Sequence, residues 1–261
     1  MTSVLVFLMF LFLVFQFPYT TGYSFNRSSM ASQMATLYRW SQGEWMFGYA
    51  VPPLILALLV YKYDEIRKVK TSPSSWAYTT ILFAFLFYWI GYKTNNRYFG
   101  FFAIQILVMG VIHLYLGWKM FWQLKWLWLL LGMTWPLIFL IDPISFPLQM
   151  IVTKMTSGFL NLIGVDTVQN GTSLISAASE TAEQGELFSL KVAGPCSGIR
   201  SLFSLTLIGL AFSYITLKTD LKRCLLLLSV IPLVLLGNFI RLNILLIVLQ
   251  KVILFYNVYA L

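Results

Sequence analysis

The feature that most constrains this sequence is the run "CLLLLSVIPLVLLGNFIRLNILLIVL" at residues 224–249, which contains a single charged residue, Arg241. About 20 consecutive apolar residues cross the hydrocarbon core of a bilayer. Several other stretches approach this length, and 59% of the 261 residues are hydrophobic while only 10% are charged. A water-soluble domain cannot bury that share of apolar surface. The sequence therefore predicts an all-α polytopic membrane protein.

Seven apolar stretches are candidate transmembrane helices. The first, Val4–Phe17, has the length of a signal peptide, but no basic residue precedes it and no small-residue cleavage site follows it, so a retained helix is favoured over a cleaved one. The other six are 45–61, 76–92, 99–118, 121–141, 197–217 and 224–249. We find no internal repeat and no long linker. We therefore predict a single integral membrane domain over residues 1–261 with about seven transmembrane helices.

Basic residues orient these helices. Loops 62–75, 118–126 and 218–223 carry half of the 18 Lys and Arg residues of the chain. Because cytoplasmic loops concentrate Lys and Arg, these three loops are predicted to be cytoplasmic, and the N-terminus with them. The net charge of +9 then reflects membrane topology. The basic residues form no continuous patch, so the lipid bilayer is an expected partner and nucleic acid is not.

Residues 142–195 form the largest segment without a predicted span, and this topology places them outside the cell. The first part, "FPLQMIVTKMTSGFLNLIGV", has the apolar spacing of a helix that lies in the membrane interface, and a short buried helix is the alternative. Its apolar positions are Leu148, Ile151, Val152, Met155, Phe159 and Leu162. Further on, "LFSLKV" alternates apolar and polar residues and predicts a short half-buried strand.

The stretch "GPCSGIR" at residues 194–200 directly precedes a predicted span and contains Cys196. Pro195 suits the first position of a helix, so the helix is predicted to begin there. The helix dipole and Arg200, one turn further on, would lower the pKa of the Cys196 thiol. A thiolate is a nucleophile at neutral pH. The alternative is a small buried hydrophobic side chain, as is common for an isolated cysteine.

Arg241 lies inside an apolar span, where a charged residue costs about 2.5–3.5 kcal/mol and usually faces protein or a wet cavity. Snorkelling to the outer interface is the alternative. Asn238 is three residues earlier, within one helical turn. From Cys224 at the inner end, Arg241 is about 25 Å along a helix, at the outer depth predicted for Cys196. A thiolate and a guanidinium at one depth favour acyl transfer, in which arginine stabilises the thiolate or the oxyanion.

The composition gives no basis for a metal or an organic cofactor, and we expect none. The two cysteines, Cys196 and Cys224, fall at opposite ends of a predicted helix, so a disulfide between them is not expected. The chain has one histidine, His113. The topology puts it toward the cytoplasmic end of its span, far from Cys196, and we interpret it as a packing or interfacial residue.

The stretches "GPCSGIRSLFSL" and "IPLVLLGNFIRLNILL" together resemble the exosortase/archaeosortase family. The earlier "WSQGEWMFGYAVPPLILALLVYK" is similar to the N-terminal signature of that family, and the resemblance covers roughly residues 36–249. It implies a membrane cysteine protease or transpeptidase that cleaves C-terminal sorting signals of exported proteins and transfers these proteins to a cell-surface acceptor. It also implies that Cys196 is the nucleophile and Arg241 the catalytic arginine, with Arg200 and Asn238 in support.

The same resemblance implies a multi-pass protein of the cell (inner) membrane whose site faces the extracytoplasmic side. The expected partners are exported proteins that end in a short motif, a membrane helix and a basic tail. The external segment 142–195 would help to form the groove for these substrates.

One feature departs from the family. Its members carry a third polar residue, histidine or sometimes arginine, on a further helix after the Asn-x-x-Arg helix, whereas "KVILFYNVYAL" at residues 251–261 contains no histidine. Either a last helix is missing or another group substitutes, so a catalytically impaired member is one alternative. Another is a non-enzymatic assembly or transport protein for surface polysaccharide or protein export, in which Arg241 binds an anionic precursor and Cys196 only packs.

Overall fold

A computed structural model describes residues 14–21, 26–40, 45–178, 183–185, 188–191 and 198–259 of the chain. These residues are mostly helical, in agreement with the predicted class. They fall into two compact units, the first formed by residues 1–138 and 210–216 and the second by residues 139–209 and 217–261.

The first unit contains most of the helices, together with one small strand pair. Residues 14–16 form a helical turn, α1. The two-stranded antiparallel pair is β1 (Pro18–Thr20) and β2 (Ser28–Ser29). The helices are α2 (Met30–Trp40), α3 (Val51–Tyr61) with a 3-10 turn before it (Met46–Ala50), α4 (Tyr63–Arg67), α5 (Trp76–Lys93), α6 (Arg97–Tyr115) and α7 (Trp118–Gly132).

Small residues allow α5 and α6 to pack closely. The buried positions of α5 are Ala77, Ala84 and Gly91, which recur every seven residues. On α6, a Cβ atom at Gly110 would lie 2.8 Å from Cγ1 of Ile81. Small residues at helix contacts are typical of membrane proteins. In lipid the hydrophobic effect does not drive helices together, and close packing of their backbones does so instead.

Tyr19 of β1 is the centre of the core of this unit. Its side chain is fully buried, packs with Met30 and Phe101, and donates a hydrogen bond from its hydroxyl to the carbonyl oxygen of Tyr88 at 2.8 Å. The segment between the first apolar run and α2 is therefore anchored by a buried aromatic residue.

The second unit combines three helices with a small sheet. The helices are α8 (Ile141–Leu162), α9 (Ile199–Thr216), of which residues 199–209 belong here, and α10 (Asp220–Tyr259). The strands β3 (Thr167–Asn170), β4 (Ser173–Ser176) and β5 (Ser189–Lys191) form an antiparallel sheet in the order β3-β4-β5. The predicted strand in "LFSLKV" is confirmed as β5, although Val192 lies outside the described residues, and the β3–β4 hairpin was not predicted.

Helix α8 buries hydroxyl-bearing side chains beside apolar ones, while several of its large apolar side chains are exposed. Its buried residues include Ser145, Thr153, Thr156 and Ser157 as well as Leu148, Val152 and Leu160. Ile151, Met155 and Leu162, which the sequence assigned to the apolar contact face, are exposed. An apolar exterior over hydroxyl groups suits a helix surrounded by lipid.

The predicted count of seven transmembrane helices is not confirmed. Among the described residues, four helices are long and apolar enough to cross a membrane: Arg97–Tyr115, Ile138–Leu162, Ile199–Thr216 and Asp220–Val248. The second of these contains α8, which the sequence analysis treated as non-spanning. Helix α3 has 11 residues and α7 has 15, and α5 reaches 18 only with many Tyr, Trp and Thr residues. Of the first run, residues 4–13 lie outside the described part.

Two helix ends differ from the prediction. Helix α9 begins at Ile199 rather than at Pro195, which lies outside the described residues. The cause is Gly198, whose φ of 80° cannot continue a helix and whose carbonyl oxygen accepts the N–H of Leu202 at 2.8 Å. At the other end, α10 continues to Tyr259, so the segment after residue 249 extends the same helix.

Candidate active site

The candidate site is built on one face of α10. Its buried side chains follow a spacing of four residues, which places them on one stripe of the helix. They are Val230, Val234, Asn238, Leu242 and Leu246, each no more than 6% exposed. Asn238 is thus a polar side chain within an otherwise apolar stripe.

This stripe packs on α8 and on the sheet. Leu242 contacts Val152 of α8, and Leu246 lies in a cluster with Leu160 of α8 and Leu174 of β4. One turn before Leu242, the ring of Phe239 meets that of Phe159 edge-on, with centroids 5.6 Å apart. The segment predicted to be external therefore contacts α10 around the Asn-x-x-Arg motif.

Gly198 brings the Cys196 block to the same helix. A Cβ atom at this position would collide with Nδ2 of Asn238 and would lie 2.8 Å from Cγ of Asn238 and 2.9 Å from Cγ1 of Val234. The positive φ of Gly198 also disfavours any residue with a side chain. The two sequence blocks that carry the family resemblance therefore meet in space, with Gly198 directly against Asn238.

A Gly198→Ala substitution is expected to destabilise this junction. The left-handed conformation costs a non-glycine residue about 1–3 kcal/mol, and the collision with a buried amide adds to that cost. The melting temperature of the purified protein should therefore fall. Gly158→Ala on α8 is the control, because a Cβ there meets nothing within 4 Å. Equal melting temperatures for the two variants would contradict the packing of Gly198 on Asn238.

Asn238 is buried with an unsatisfied donor. Its side chain is 5% exposed, and among the described residues Nδ2 has no hydrogen-bond acceptor. A buried donor without a partner costs about 1–3 kcal/mol, so such groups usually serve a purpose. The amide is available to a backbone carbonyl oxygen of a neighbouring segment of this chain or of a bound peptide.

Arg241 lies on the neighbouring, exposed side of α10. Its side chain borders an open groove of about 470 Å³ together with Gly237, Ile240, Ile244 and Leu245. No hydrogen bond or ion pair joins it to another of the described residues. A guanidinium in an apolar groove without a counter-charge is suited to bind an anion or a developing oxyanion.

Two of the predicted site residues, Arg200 and Cys196, do not belong to α10. Arg200 lies in the first turn of α9 with an exposed side chain. Cys196 falls in residues 192–197, outside the described part of the chain. Cys224 is exposed near the start of α10, at the end of the helix away from Arg241.

Asn243 is a polar residue of this region that the sequence analysis missed. It is 5% exposed; Nδ2 donates to the carbonyl oxygen of Phe239 at 2.7 Å, while Oδ1 has no partner in the described structure. The signal that identified Arg241, a polar residue inside an apolar span, applies equally to Asn243. Thr156 of α8 is likewise buried with an unpartnered hydroxyl, but nothing in its local sequence distinguishes it.

The described residues contain no group of three or more His, Cys, Asp or Glu side chains that could hold a metal ion.

Comparison with known families identifies the family of this chain. A sequence model of the transmembrane exosortase family matches residues 40–253. The chain belongs to the transmembrane exosortase family. The matched range includes the four predicted site residues of this exosortase: Cys196, Arg200, Asn238 and Arg241. Comparison with the curated proteins and with the solved structures gives no match.

Proposed function

We propose that this exosortase cleaves C-terminal sorting signals of exported proteins and transfers these proteins to a cell-surface acceptor, with Cys196 as nucleophile and Arg241 as the stabilising charge. The observation that carries the proposal is the packing of Gly198 on Asn238. Family membership supports a protein-processing role in the membrane, and the remainder of the assignment rests on the residues below.

Chain connectivity keeps the proposed reacting groups close. Cys196 is two residues from Gly198, and two residues span at most about 7 Å. Asn238 and Arg241 are three residues apart on one helix, where Cβ atoms lie about 5–6 Å from each other. Since Gly198 touches Asn238, the length of the chain allows the Cys196 thiol to come within reach of the Arg241 side chain.

In the proposed reaction, the Cys196 thiol and the Arg241 guanidinium have separate roles. The Cys196 Sγ attacks the carbonyl carbon of the scissile peptide bond, and the Arg241 guanidinium stabilises the oxyanion that forms. The C–N bond breaks, the C-terminal fragment leaves as an amine, and the exported protein remains as a thioester. A nucleophile of the acceptor then attacks the thioester and releases the thiol.

The length of α10 supports a site on the outer side. Arg241 lies about 32 Å along the helix from Asp220, close to the 30 Å thickness of a hydrocarbon core. The basic residues Lys218, Lys222 and Arg223 cluster at the opposite end. Under the positive-inside rule, that end is cytoplasmic and Arg241 is at the extracytoplasmic boundary.

The sheet supports a role of segment 142–195 in substrate binding. Phe188 and Leu190 pack against the cluster of Leu160, Leu174 and Leu246, and Leu246 is little more than one turn beyond Arg241. A substrate docked by its own membrane helix would present its short motif at this depth, beside β5.

Thiol labelling tests both the nucleophile and its side of the membrane. In a Cys224→Ser background, a membrane-impermeant maleimide added to intact cells or right-side-out vesicles is expected to modify Cys196. The rate should reach its plateau below pH 8.5, the ordinary pKa of a cysteine thiol, because the proposed site favours the thiolate.

Two results would contradict the proposal. Labelling that occurs only after permeabilisation would show that the Cys196 thiol faces the cytoplasm or is buried. A labelling rate that depends on pH as for an ordinary cysteine thiol would remove the basis for Cys196 as a nucleophile. The double variant Cys196→Ser/Cys224→Ser gives the background.

A non-enzymatic carrier is the second candidate, and one observation favours it. The Arg241 guanidinium faces an open apolar groove and makes no ion pair with the described residues. Such a groove would also suit an anionic lipid-linked precursor. Export activity that persists in a Cys196→Ala variant would support the carrier over the enzyme.

A further inference from the structure

A second groove lies in the first unit. It has a volume of about 710 Å³ and runs between α5 and α6. Its walls include Thr79, Phe83 and Phe87 of α5, Met109 and His113 of α6, and Trp118 at the start of α7. Phe83 is 53% exposed and Trp118 50%, so the groove opens on the surface of the unit. For a membrane protein, that surface faces lipid.

His113 lines this groove and has a buried polar atom. The residue is 3% exposed, and its ring lies 4.8 Å from that of Trp118 and 4.9 Å from that of Phe121. Its Nε2 atom is buried, and no described residue forms a hydrogen bond with it. A buried imidazole nitrogen without a partner is costly. The groove therefore has the polar contact that a ligand with an oxygen acceptor would satisfy.

A backbone clamp closes the polar end of the groove. The Ser72 N–H donates to the carbonyl oxygen of Leu116 at 3.1 Å, and the Ser74 N–H donates to that of His113 at 3.3 Å. Gly117, with φ of 85°, lies so close to Ser72 that a Cβ would strike the Ser72 carbonyl oxygen. The loop before α5 is thus fixed to the junction of α6 and α7.

Two exposed lysines flank this clamp. Lys70 is two residues before Ser72 and Lys119 is two residues after Gly117, so each is within about 7 Å of the clamp along the chain. Lys70 lies in the loop before α5 and Lys119 in the first turn of α7, and the positive-inside rule assigns both segments to the cytoplasm. Basic pockets at the cytoplasmic ends of membrane helices bind anionic lipid headgroups.

The length of the groove fits one leaflet. Along α5 it extends from Trp76 to Phe87, about 16 Å. Half of a 30 Å hydrocarbon core is about 15 Å. Ser74 and His113 lie at one end of this distance, and the side chains at the other end, Phe83, Phe87 and Ile106, are apolar. This is the order of headgroup and acyl chain in a phospholipid.

We infer that the groove between α5 and α6 binds one anionic phospholipid of the cytoplasmic leaflet. Its acyl chain lies along Phe83 and Phe87, the His113 Nε2–H donates to an ester or phosphate oxygen, and Lys70 and Lys119 neutralise the headgroup. This inference does not depend on the proposed function, because the groove uses none of the residues assigned to peptide transfer.

Native mass spectrometry of the full-length protein tests the inference. The protein is placed in nanodiscs with equal amounts of phosphatidylglycerol and phosphatidylcholine and then released with its retained lipid. We expect retention of phosphatidylglycerol over phosphatidylcholine. Lys70→Gln and Lys119→Gln should each reduce that retention about five-fold. Lys93→Gln, at the opposite end of α5, is the matched control and should retain lipid like the wild type.

A His113→Phe variant separates the hydrogen bond from the packing, because phenylalanine keeps the ring between Trp118 and Phe121. It should also lose phosphatidylglycerol. Equal retention of the two lipids by the wild type, or full retention in the double lysine variant, would overturn the inference. If His113→Phe does not fold, the lysine variants decide alone. If it folds and retains the lipid, the assignment is wrong.

Discussion

A Cys196→Ala variant of this exosortase is expected to leave a co-expressed tailed substrate at its full length. The proposed pathway passes through a thioester on Cys196, and alanine has no sulfur with which to form it. Loss of the nucleophile in enzymes that use covalent catalysis lowers the rate on the order of 10⁶-fold, which in this assay means no detectable product. The measurement is the ratio of processed to full-length substrate in membranes, by immunoblot.

The chain contains a matched control for this experiment. Cys224 is exposed near the start of α10, and a Cys224→Ser variant removes a thiol without touching the candidate site. It should process the substrate at the wild-type rate. Normal processing by Cys196→Ala would exclude the proposed nucleophile, whatever the behaviour of the control.

Substitution of Arg241 is expected to have the second largest effect. Removal of one stabilising group from an oxyanion site typically lowers turnover by about 10²–10³-fold, so Arg241→Gln should lower processing by that factor. Arg241→Lys retains the charge but loses the planar fork of donors, and we expect an intermediate rate. The measurement is the initial rate of product formation with a saturating amount of substrate in the membrane.

The control for Arg241 is Arg67→Gln, which removes an exposed arginine from α4 in the first unit. Its rate should match the wild type. Equal rates for Arg241→Gln and Arg67→Gln would show that the guanidinium in the groove takes no part in the reaction. If Arg241→Gln binds substrate as tightly as the wild type but turns it over slowly, the result supports a role of the guanidinium in the transition state.

Length and hydropathy located several helices because these properties act locally. The predicted span 76–92 corresponds to α5, 99–118 to α6, and 45–61 to α3 with its preceding 3-10 turn. The paired prolines in the first turn of α3 mark its start, since a proline there loses no helical hydrogen bond. Family membership, also expected from the motifs, is confirmed.

The second unit was harder to predict because its stability depends on distant contacts. The β3–β4 hairpin lies in a polar segment, and its fully buried side chain, Leu174, is covered by Leu160 and Leu246. A short strand with a core contact as distant in sequence as Leu246, 72 positions from Leu174, leaves little trace in its own sequence. For α8, the apolar spacing was recognised, but the spacing does not tell whether that face meets protein or lipid.

The predicted depths of Cys196 and Arg241 in the membrane put their two sequence blocks on one side. They did not indicate how the blocks touch. Counting residues along the helices brought Cys196 and Arg241 to one side of the membrane. The contact between Gly198 and Asn238 depends on a left-handed backbone at Gly198, which delays the start of α9 to Ile199. A glycine in "CSGIR" is compatible with either a helical or a left-handed conformation, so the sequence alone could not decide between them.

The exposed apolar side chains of α8 have a consequence for how substrate reaches the enzyme. Ile151, Met155 and Phe159 cover its exterior, while its hydroxyl groups are buried. Under the proposed function, enzyme and substrate are both confined to the bilayer and meet by diffusion in two dimensions. The quantity that governs their encounter is the number of substrate molecules per unit area. Diluting a cell suspension leaves that number unchanged, whereas fusing additional lipid into the membrane lowers it.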